Sequence, residues 1–163
     1  MSKIVEITGN IVMSDKCHEW CLLPYPNHPK GCPNYGKKVG CPPDVPYLFD
    51  AMDMSRPAYF AYIKFDLKTH AEKLLIKHPE WTSRQSRCCL YWQGGVRRDL
   101  REFCNETCEG TSMAYSTCPE AMGMNVMRTA TKNGIPIDIK AREFVYKIAL
   151  VGFPTGYPEI WNA

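Results

Sequence analysis

Several features that would place this chain in a common class are missing from its sequence. The segment Met1 to Asn10 lacks the uninterrupted apolar stretch of a secretory signal, and no run of about 18 apolar residues is present to cross a bilayer. With 20 basic and 17 acidic side chains, the charge balance gives no argument for nucleic acid or an anionic membrane. We therefore expect a cytoplasmic protein with no membrane partner and with reduced thiols.

Common catalytic motifs are missing as well. The sequence contains no serine hydrolase triad pattern, no Gly-x-Gly-x-x-Gly fingerprint and no phosphate-binding loop. It also has no internal repeat, low-complexity tract or linker, so its 163 residues predict one domain spanning 1–163. The composition, 45% hydrophobic and 23% charged, is that of an ordinary globular protein.

Cysteine and proline are what the sequence does have. Nine cysteines in a chain expected to be reduced indicate metal ligands, catalytic thiols or core residues, and an odd number argues against a complete disulfide set. Closely spaced prolines from Pro24 to Pro57 predict that residues 14–57 form a long irregular loop, with one short helix from about Asp44 to Met52. A loop of that length needs a function or an internal cross-link that stabilises it.

The rest of the chain alternates strand and helix patterns. Strands are predicted at Ala58 to Asp66 and Glu143 to Phe153, with a weaker one at Ile4 to Met13. Helices are predicted from Leu67 to Lys77, from Thr82 to Phe103, and from Cys118 to a stop at Asn133-Gly134. This pattern predicts a small mixed α/β domain with a central sheet, flanking helices and long cysteine-rich metal-binding loops.

The predicted helix beginning at Thr82 has a capping box, Thr82 to Gln85, and an apolar stripe of Cys89, Trp92, Val96, Leu100 and Phe103. An unbroken helix would separate Cys89 from Cys104 by roughly 22 Å, which is too far for one cluster. Cys88 and Cys89 therefore serve the first cysteine group, lie in the core, or belong to a helix that breaks at Gly94-Gly95. Burial in the core is the expectation for free cysteines.

The first cysteine group is C-x3-C-x10-C-x8-C, formed by Cys17, Cys21, Cys32 and Cys41 within the proline-rich region 14–57. Four thiolates complete one tetrahedral or cubane site, and a metal centre would stabilise a loop that buries little apolar area. The spacing leaves three alternatives open: an iron–sulfur cluster, structural zinc, or ordinary loop and core thiols.

The second cysteine group is C-x3-C-x9-C, formed by Cys104, Cys108 and Cys118. Cys118 precedes a predicted helix, whose exposed N–H groups and dipole favour a thiolate or a negative cluster. Three ligands leave one position open, so this group predicts a second cluster, a site with one open iron, or part of a single centre shared with the first group.

Two segments together resemble a known family. Gly31-Cys-Pro-Asn-Tyr-Gly-Lys-Lys-Val-Gly-Cys-Pro-Pro43 resembles the hallmark segment of an uncharacterised family of predicted metal-binding proteins, domain of unknown function 2284. Cys104, Cys108 and the run from Cys118 to Val126 resemble its second cysteine region. The resemblance implies metal binding at both groups and assigns no reaction. The stretches Tyr25 to Lys30 and Trp81 to Gln93 fall outside the matched motifs.

His28 and a set of arginines are further candidates. His28 lies on the first cysteine loop and is predicted as a ligand or catalytic proton donor, with a loop histidine making one hydrogen bond as the alternative. Five arginines accompany Trp81, Tyr91 and Trp92 and could form an RNA-binding surface or a solvated helix face paired with Asp99 and Glu102. The arginines are Arg84, Arg87, Arg97, Arg98 and Arg101.

The sequence thus predicts an iron–sulfur protein, with one or two clusters of the [4Fe-4S] type, acting as a redox or sulfur-handling enzyme. Its partner would be a redox protein or a small-molecule substrate. The alternative is a non-catalytic module in which zinc stabilises the loop and the arginines bind RNA or a protein.

Overall fold

Four strands form a single antiparallel sheet in the order β1, β2, β4, β3. The strands are β1 (Ser2–Glu6), β2 (Tyr59–Asp66), β3 (Ala114–Ser116) and β4 (Phe144–Gly152). The structure is a computed structural model that describes residues 1–24 and 28–162. Residues 25–27, part of the stretch outside the family motifs, and residue 163 lie outside the described range. The predicted mixed α/β class with a central sheet is confirmed.

The two central strands separate two cores because neighbouring side chains on a strand point to opposite faces. Phe60 and Leu150 are fully buried on one face, where the larger core also takes in segments of region 14–57. Ala61 and Ala149 are buried on the other face, beneath a helix. The alternation explains why both strands look nearly continuously apolar: each contributes to two cores.

Helices cover both faces and the ends of the sheet. The α-helices are α1 (Lys16–Trp20), α2 (Leu48–Ala51), α3 (Leu67–Lys77), α4 (Ser83–Ser86), α5 (Gln93–Cys108) and α6 (Val126–Lys132). Short 3-10 helices occupy Cys89–Tyr91, Pro119–Met122 and Pro158–Ile160. In the described residues, no helix is both long enough and apolar enough to cross a bilayer.

The helix predicted from Thr82 to Phe103 is wrong as one continuous element. Its capping box at Thr82 and Gln85 is confirmed, but α4 ends after one turn and α5 begins at Gln93. Trp92 anchors the break, since its indole N–H donates to the Arg87 carbonyl at 3.2 Å and its ring stacks on Phe65 at 5.3 Å. The break therefore precedes Gly94-Gly95, which lie in the first turn of α5.

The helix predicted from Cys118 to Asn133 is likewise divided in two. Gly123 ends the 3-10 helix with φ +84°, and an added Cβ would meet the Tyr47 ring at 2.8 Å. A side chain would clash there, and only glycine adopts this φ at little cost. The Asn125 side chain then caps α6 by accepting from the Arg128 N–H at 3.0 Å. The predicted stop at Asn133 is confirmed.

Region 14–57 is largely irregular, as predicted, and it contains two short helices. The expected helix from Asp44 to Met52 is reduced to α2, while α1 was not predicted. The weak strand predicted at Ile4 to Met13 is shorter and lies further towards the N-terminus, at β1. These differences matter most for α1, because it carries the first cysteine of the chain.

Candidate metal centre

Helix α1 is held against the 3-10 helix Pro119–Met122. The His18 Nε2 donates to the Ala121 carbonyl at 2.5 Å, and the Ser14 N–H donates to the Gly123 carbonyl at 2.9 Å. The His18 ring also stacks on Tyr47 at 5.0 Å. This docking brings the first cysteine loop to the segment that begins at Cys118.

Cys21 and Cys32 are joined through their backbones. The Cys32 N–H donates to the Cys21 carbonyl at 2.7 Å, and Gly31 precedes this contact with φ +82°. A Cβ at Gly31 would overlap the Cys21 carbonyl oxygen and approach the Leu22 backbone at 2.8 Å. Only glycine allows the two chain segments to come so close, so this position fixes one thiol beside the other.

Cys41 is held by a separate turn. Its N–H donates to the Lys38 carbonyl at 3.0 Å, and the Gly36 N–H donates to the Pro42 carbonyl at 2.8 Å. A cavity of about 380 Å³ opens beside it, lined by residues 36–41 and 44–46 and by Glu159 and Ile160. Cys41 is therefore held in place by the backbone and accessible from solvent.

Electrostatic effects on the pKa values indicate which thiols lie within range of one another. Burial raises the pKa of Cys21, and the charges of Cys32 and Cys41 raise it further. Burial and the Glu120 carboxylate raise the pKa of Cys118 to about 11, with smaller contributions from Cys41 and Cys21. Cys118 thus lies within electrostatic range of the first group, on the surface formed by three separate segments.

The backbone around Cys118 partly offsets the effect of burial on the pKa of its thiol. The Ala121 N–H donates to the Cys118 carbonyl at 3.0 Å, and its proximity lowers the pKa of the Cys118 thiol, although the effect of burial is larger. The Ser116 hydroxyl accepts from the Cys118 N–H at 3.3 Å and fixes the start of the 3-10 helix. Cys118 as a whole residue keeps access to solvent. A thiol that solvent can reach and that lies beside a backbone amide can exchange its proton for a metal ion.

Cys17 is in a different setting from the other three cysteines of the first group. Its side chain is 2% exposed, and its thiol donates to the Met124 carbonyl at 3.4 Å. Burial and the nearby Glu120 charge raise the pKa of Cys17, which keeps the neutral thiol. Cys17 therefore supports the position of α1 behind the other thiols.

The donor chemistry of this surface fits a thiolate-bound centre. Four thiols from three segments lie within electrostatic range of one another, and Gly31 lets the segments of Cys21 and Cys32 approach closely. Across residues 1–24 and 28–162, no three side chains of the ligand types are arranged to hold a metal ion. The thiols share a surface, and ligation would require their side chains to turn towards a common point.

Cys104 and Cys108 lie apart from this surface. Cys104 is fully buried in the core beneath α5, and burial raises its pKa to about 12. Burial likewise raises the pKa of Cys108, one turn further along α5, where it packs against the same core. The second cysteine group is therefore divided, with Cys118 on the side of the first group.

Cys88 and Cys89 are not core residues. Cys88 is half-buried and Cys89 is exposed, at the 3-10 helix that separates α4 from α5. Cys89 lies within electrostatic range of Lys147 on β4. The expectation that these two thiols fill the core is wrong, because the helix that would have turned them inward is broken.

His28 lies in the turn before Cys32. It is half-buried, and its carbonyl accepts from the Gly31 N–H at 3.1 Å. Its backbone therefore helps to shape the glycine turn that joins Cys21 to Cys32. The role of its ring as ligand or proton donor stays a prediction.

The arginines do not share one helix. Arg84 and Arg87 lie on or just after α4, and the other three lie on α5. Arg87 donates to the Ser83 carbonyl at 3.3 Å, and Trp81 stacks between His78 at 4.3 Å and Tyr91 at 4.8 Å. The proposed RNA-binding face is therefore divided, and each of its three aromatic rings packs against another ring.

Sequence reasoning missed two charged residues beside Cys118. Glu120 and Lys147 are both half-buried, and each affects the pKa of the other. A lysine within the apolar run of β4 is the signal that could have identified Lys147, since such a residue seldom enters a sheet without a partner. No comparable signal distinguishes Glu120.

No family model, curated protein or solved structure matches the chain. The resemblance carried by the two cysteine segments stays a prediction.

Proposed function

We propose that the chain is a redox iron–sulfur protein in which Cys21, Cys32, Cys41 and Cys118 hold one [4Fe-4S] cluster. The observation that supports it is the position of Cys118, which lies near the thiols of the proline-rich loop rather than with the rest of the second group. Four thiols from three segments are a complete ligand set for one cluster. The proposal draws ligands from both groups and leaves Cys104 and Cys108 as core residues.

The chain's own residues would bind and stabilise the group. The four thiols would lose their protons and bind, the nearby Ala121 N–H would favour the charged form of Cys118, and the Lys147 ammonium would offset negative charge nearby. When bound, a four-thiolate cluster supplies one-electron transfer. With all four positions taken by sulfur, electron exchange with a redox partner or small molecule is favoured over substrate binding at an open iron. A sulfur-handling enzyme would need that open position.

The proposal includes the cytoplasm as the site of action. All nine cysteines are free, and iron–sulfur ligands must be reduced thiolates. Cys17 contributes by staying protonated and hydrogen-bonded to Met124, which keeps α1 seated beside the 3-10 helix. Its replacement by alanine should loosen α1 and leave the ligand set intact.

The test is anaerobic purification or reconstitution with iron and sulfide, followed by metal and sulfide analysis and by electron paramagnetic resonance after reduction. We expect about four iron and four sulfide per chain and a signal that appears on reduction. Colourless protein with one zinc per chain would contradict the proposal and favour the zinc-stabilised module. In that case, RNA affinity measured across salt concentrations would test the arginine surface, since phosphate contacts weaken steeply with salt.

A further inference from the structure

Two cations meet at one neutral side chain at the start of α5. With the Gln93 amide assigned so that its oxygen faces the donors, that oxygen accepts from Arg97 Nη2 at 2.7 Å and from Lys147 Nζ at 3.1 Å. Gln93 and Arg97 are one helical turn apart, and Lys147 reaches them from β4. A single amide oxygen thus holds two positive charges that repel each other.

Neither cation has a carboxylate partner among the described residues. The ion pairs in that part of the chain are His78 with Glu80 and Arg98 with Asp99. Glu120 affects Lys147 from beyond ion-pair distance. A guanidinium carries five N–H donors and an ammonium three, so most of the donors on this pair are left for another acceptor.

The pair is also placed where an anion would be stabilised. Lys147 is half-buried, and burial together with Arg97 lowers its pKa, which records the cost of holding the two charges close. No side chain caps the first turn of α5, so the helix dipole adds positive potential at the same end. An oxyanion between the cations would relieve their repulsion and use their free donors.

The position relates this pair to the thiol surface. Lys147 lies within electrostatic range of Cys118 and of Cys89, so this cation lies near the thiol surface. We infer that Gln93, Arg97 and Lys147 form a binding site for the carboxylate or phosphate group of a small molecule that exchanges electrons at the cysteine centre. The reacting role of that molecule rests on the proposed function, whereas the anion site itself stands on the cation pair.

The test uses metal-loaded protein titrated separately with inorganic phosphate and with acetate, by calorimetry at constant ionic strength. We expect saturable binding of at least one anion, and the better of the two identifies the chemical group. Arg97→Gln and Lys147→Met should each weaken binding at least tenfold. Arg98→Gln, on the next residue of the same helix and already beside Asp99, should change it less than twofold.

The Lys147→Arg variant tests whether weaker anion binding comes from the lost charge or from a change in the structure. Since it keeps the charge and the donors, it should bind within about threefold of wild type. Wild-type protein that binds neither anion saturably, or an Arg98→Gln variant that weakens binding as much as Arg97→Gln, would overturn the anion site. Metal analysis of every sample separates the two proposals: anion binding by protein that takes up no iron would support this site and contradict the cluster.

Discussion

The chain carries the same cysteine spacing, C-x3-C, once at α1 and once on α5, and the two pairs have opposite surroundings. In the first pair, Cys17 is buried on α1, and Cys21, which follows the last residue of α1, lies within electrostatic range of Cys32, Cys41 and Cys118. On α5, Cys104 is buried and Cys108 packs into the same apolar core. The first pair borders a surface of thiols, and the second pair lies in an apolar core. Equal spacing therefore does not make equal sites, because the neighbouring segments decide what a thiol can do.

The difference follows from the length and the attachment of each helix. Helix α5 has 16 residues and an apolar stripe of Val96, Leu100 and Cys104 that packs on the sheet, so its cysteines follow the stripe inward. Helix α1 has five residues and is held by a hydrogen bond from His18 to Ala121 in the 3-10 helix Pro119–Met122. Its end is free to present Cys21 to the loop.

The largest expected effect comes from Gly31→Ala, which should disrupt the cysteine loop. The left-handed φ and the overlap with the backbone at Cys21 should lower the free energy of unfolding by at least about 2 kcal/mol. The matched control on the other side is Gly95→Ala in α5, where an added Cβ meets no heavy atom within 4 Å. There we expect a gain of up to about 1 kcal/mol. Urea denaturation measures both, and equal effects would show that Gly31 is not needed for close approach.

Serine in place of cysteine should separate the two environments in metal-free protein. Cys104→Ser places a hydroxyl in a fully buried apolar site and should cost about 1–3 kcal/mol of unfolding free energy. Cys118→Ser changes an exposed side chain and should stay within about 0.5 kcal/mol of wild type. Urea midpoints with unchanged slopes give the comparison. A larger loss at Cys118 than at Cys104 would reverse the assignment of core and surface.

The stability contributed by the buried Cys104 thiol of α5 should be lost at alkaline pH. Burial raises the pKa of Cys104 from 9.0 to about 12, so the folded state holds a proton that the unfolded state releases first. The associated stability is complete below pH 9 and is lost as pH rises towards 12. In metal-free protein, Cys104→Ala should flatten the fall in unfolding free energy by about 1.4 kcal/mol per pH unit in that window. Val96→Ala, which removes core volume without a titratable group, should lower stability and leave the slope unchanged.

Local signals in the sequence are enough to predict much of the fold. The strand at 58–66 and the helix Leu67–Lys77 are confirmed, because alternation, apolar periodicity and caps act within a few residues. The long helix from Thr82 failed because Trp92 finds its partner, Phe65, on a distant strand. Pattern alone could not reveal that contact, so the tertiary packing overrode the helical periodicity.

The candidate site divides in the same way. Sequence spacing identified the thiols and allowed a centre shared between the two groups. It could not say which cysteine of the second group lies near the first group. That depends on α1 docking through His18 and on Gly123 ending the 3-10 helix, both of which are tertiary facts. The cation pair at Gln93 could not be predicted from the sequence either, because Arg97 and Lys147 are 50 positions apart.

The most direct test of the account is the iron content of two alanine variants reconstituted side by side under anaerobic conditions. Both cysteines come from the group C-x3-C-x9-C, so spacing treats them alike, whereas the structure separates them. We predict that Cys108→Ala keeps the iron and sulfide of wild type, and that Cys118→Ala loses at least half of both. Full loading of Cys118→Ala together with loss of iron from Cys108→Ala would contradict the proposed centre.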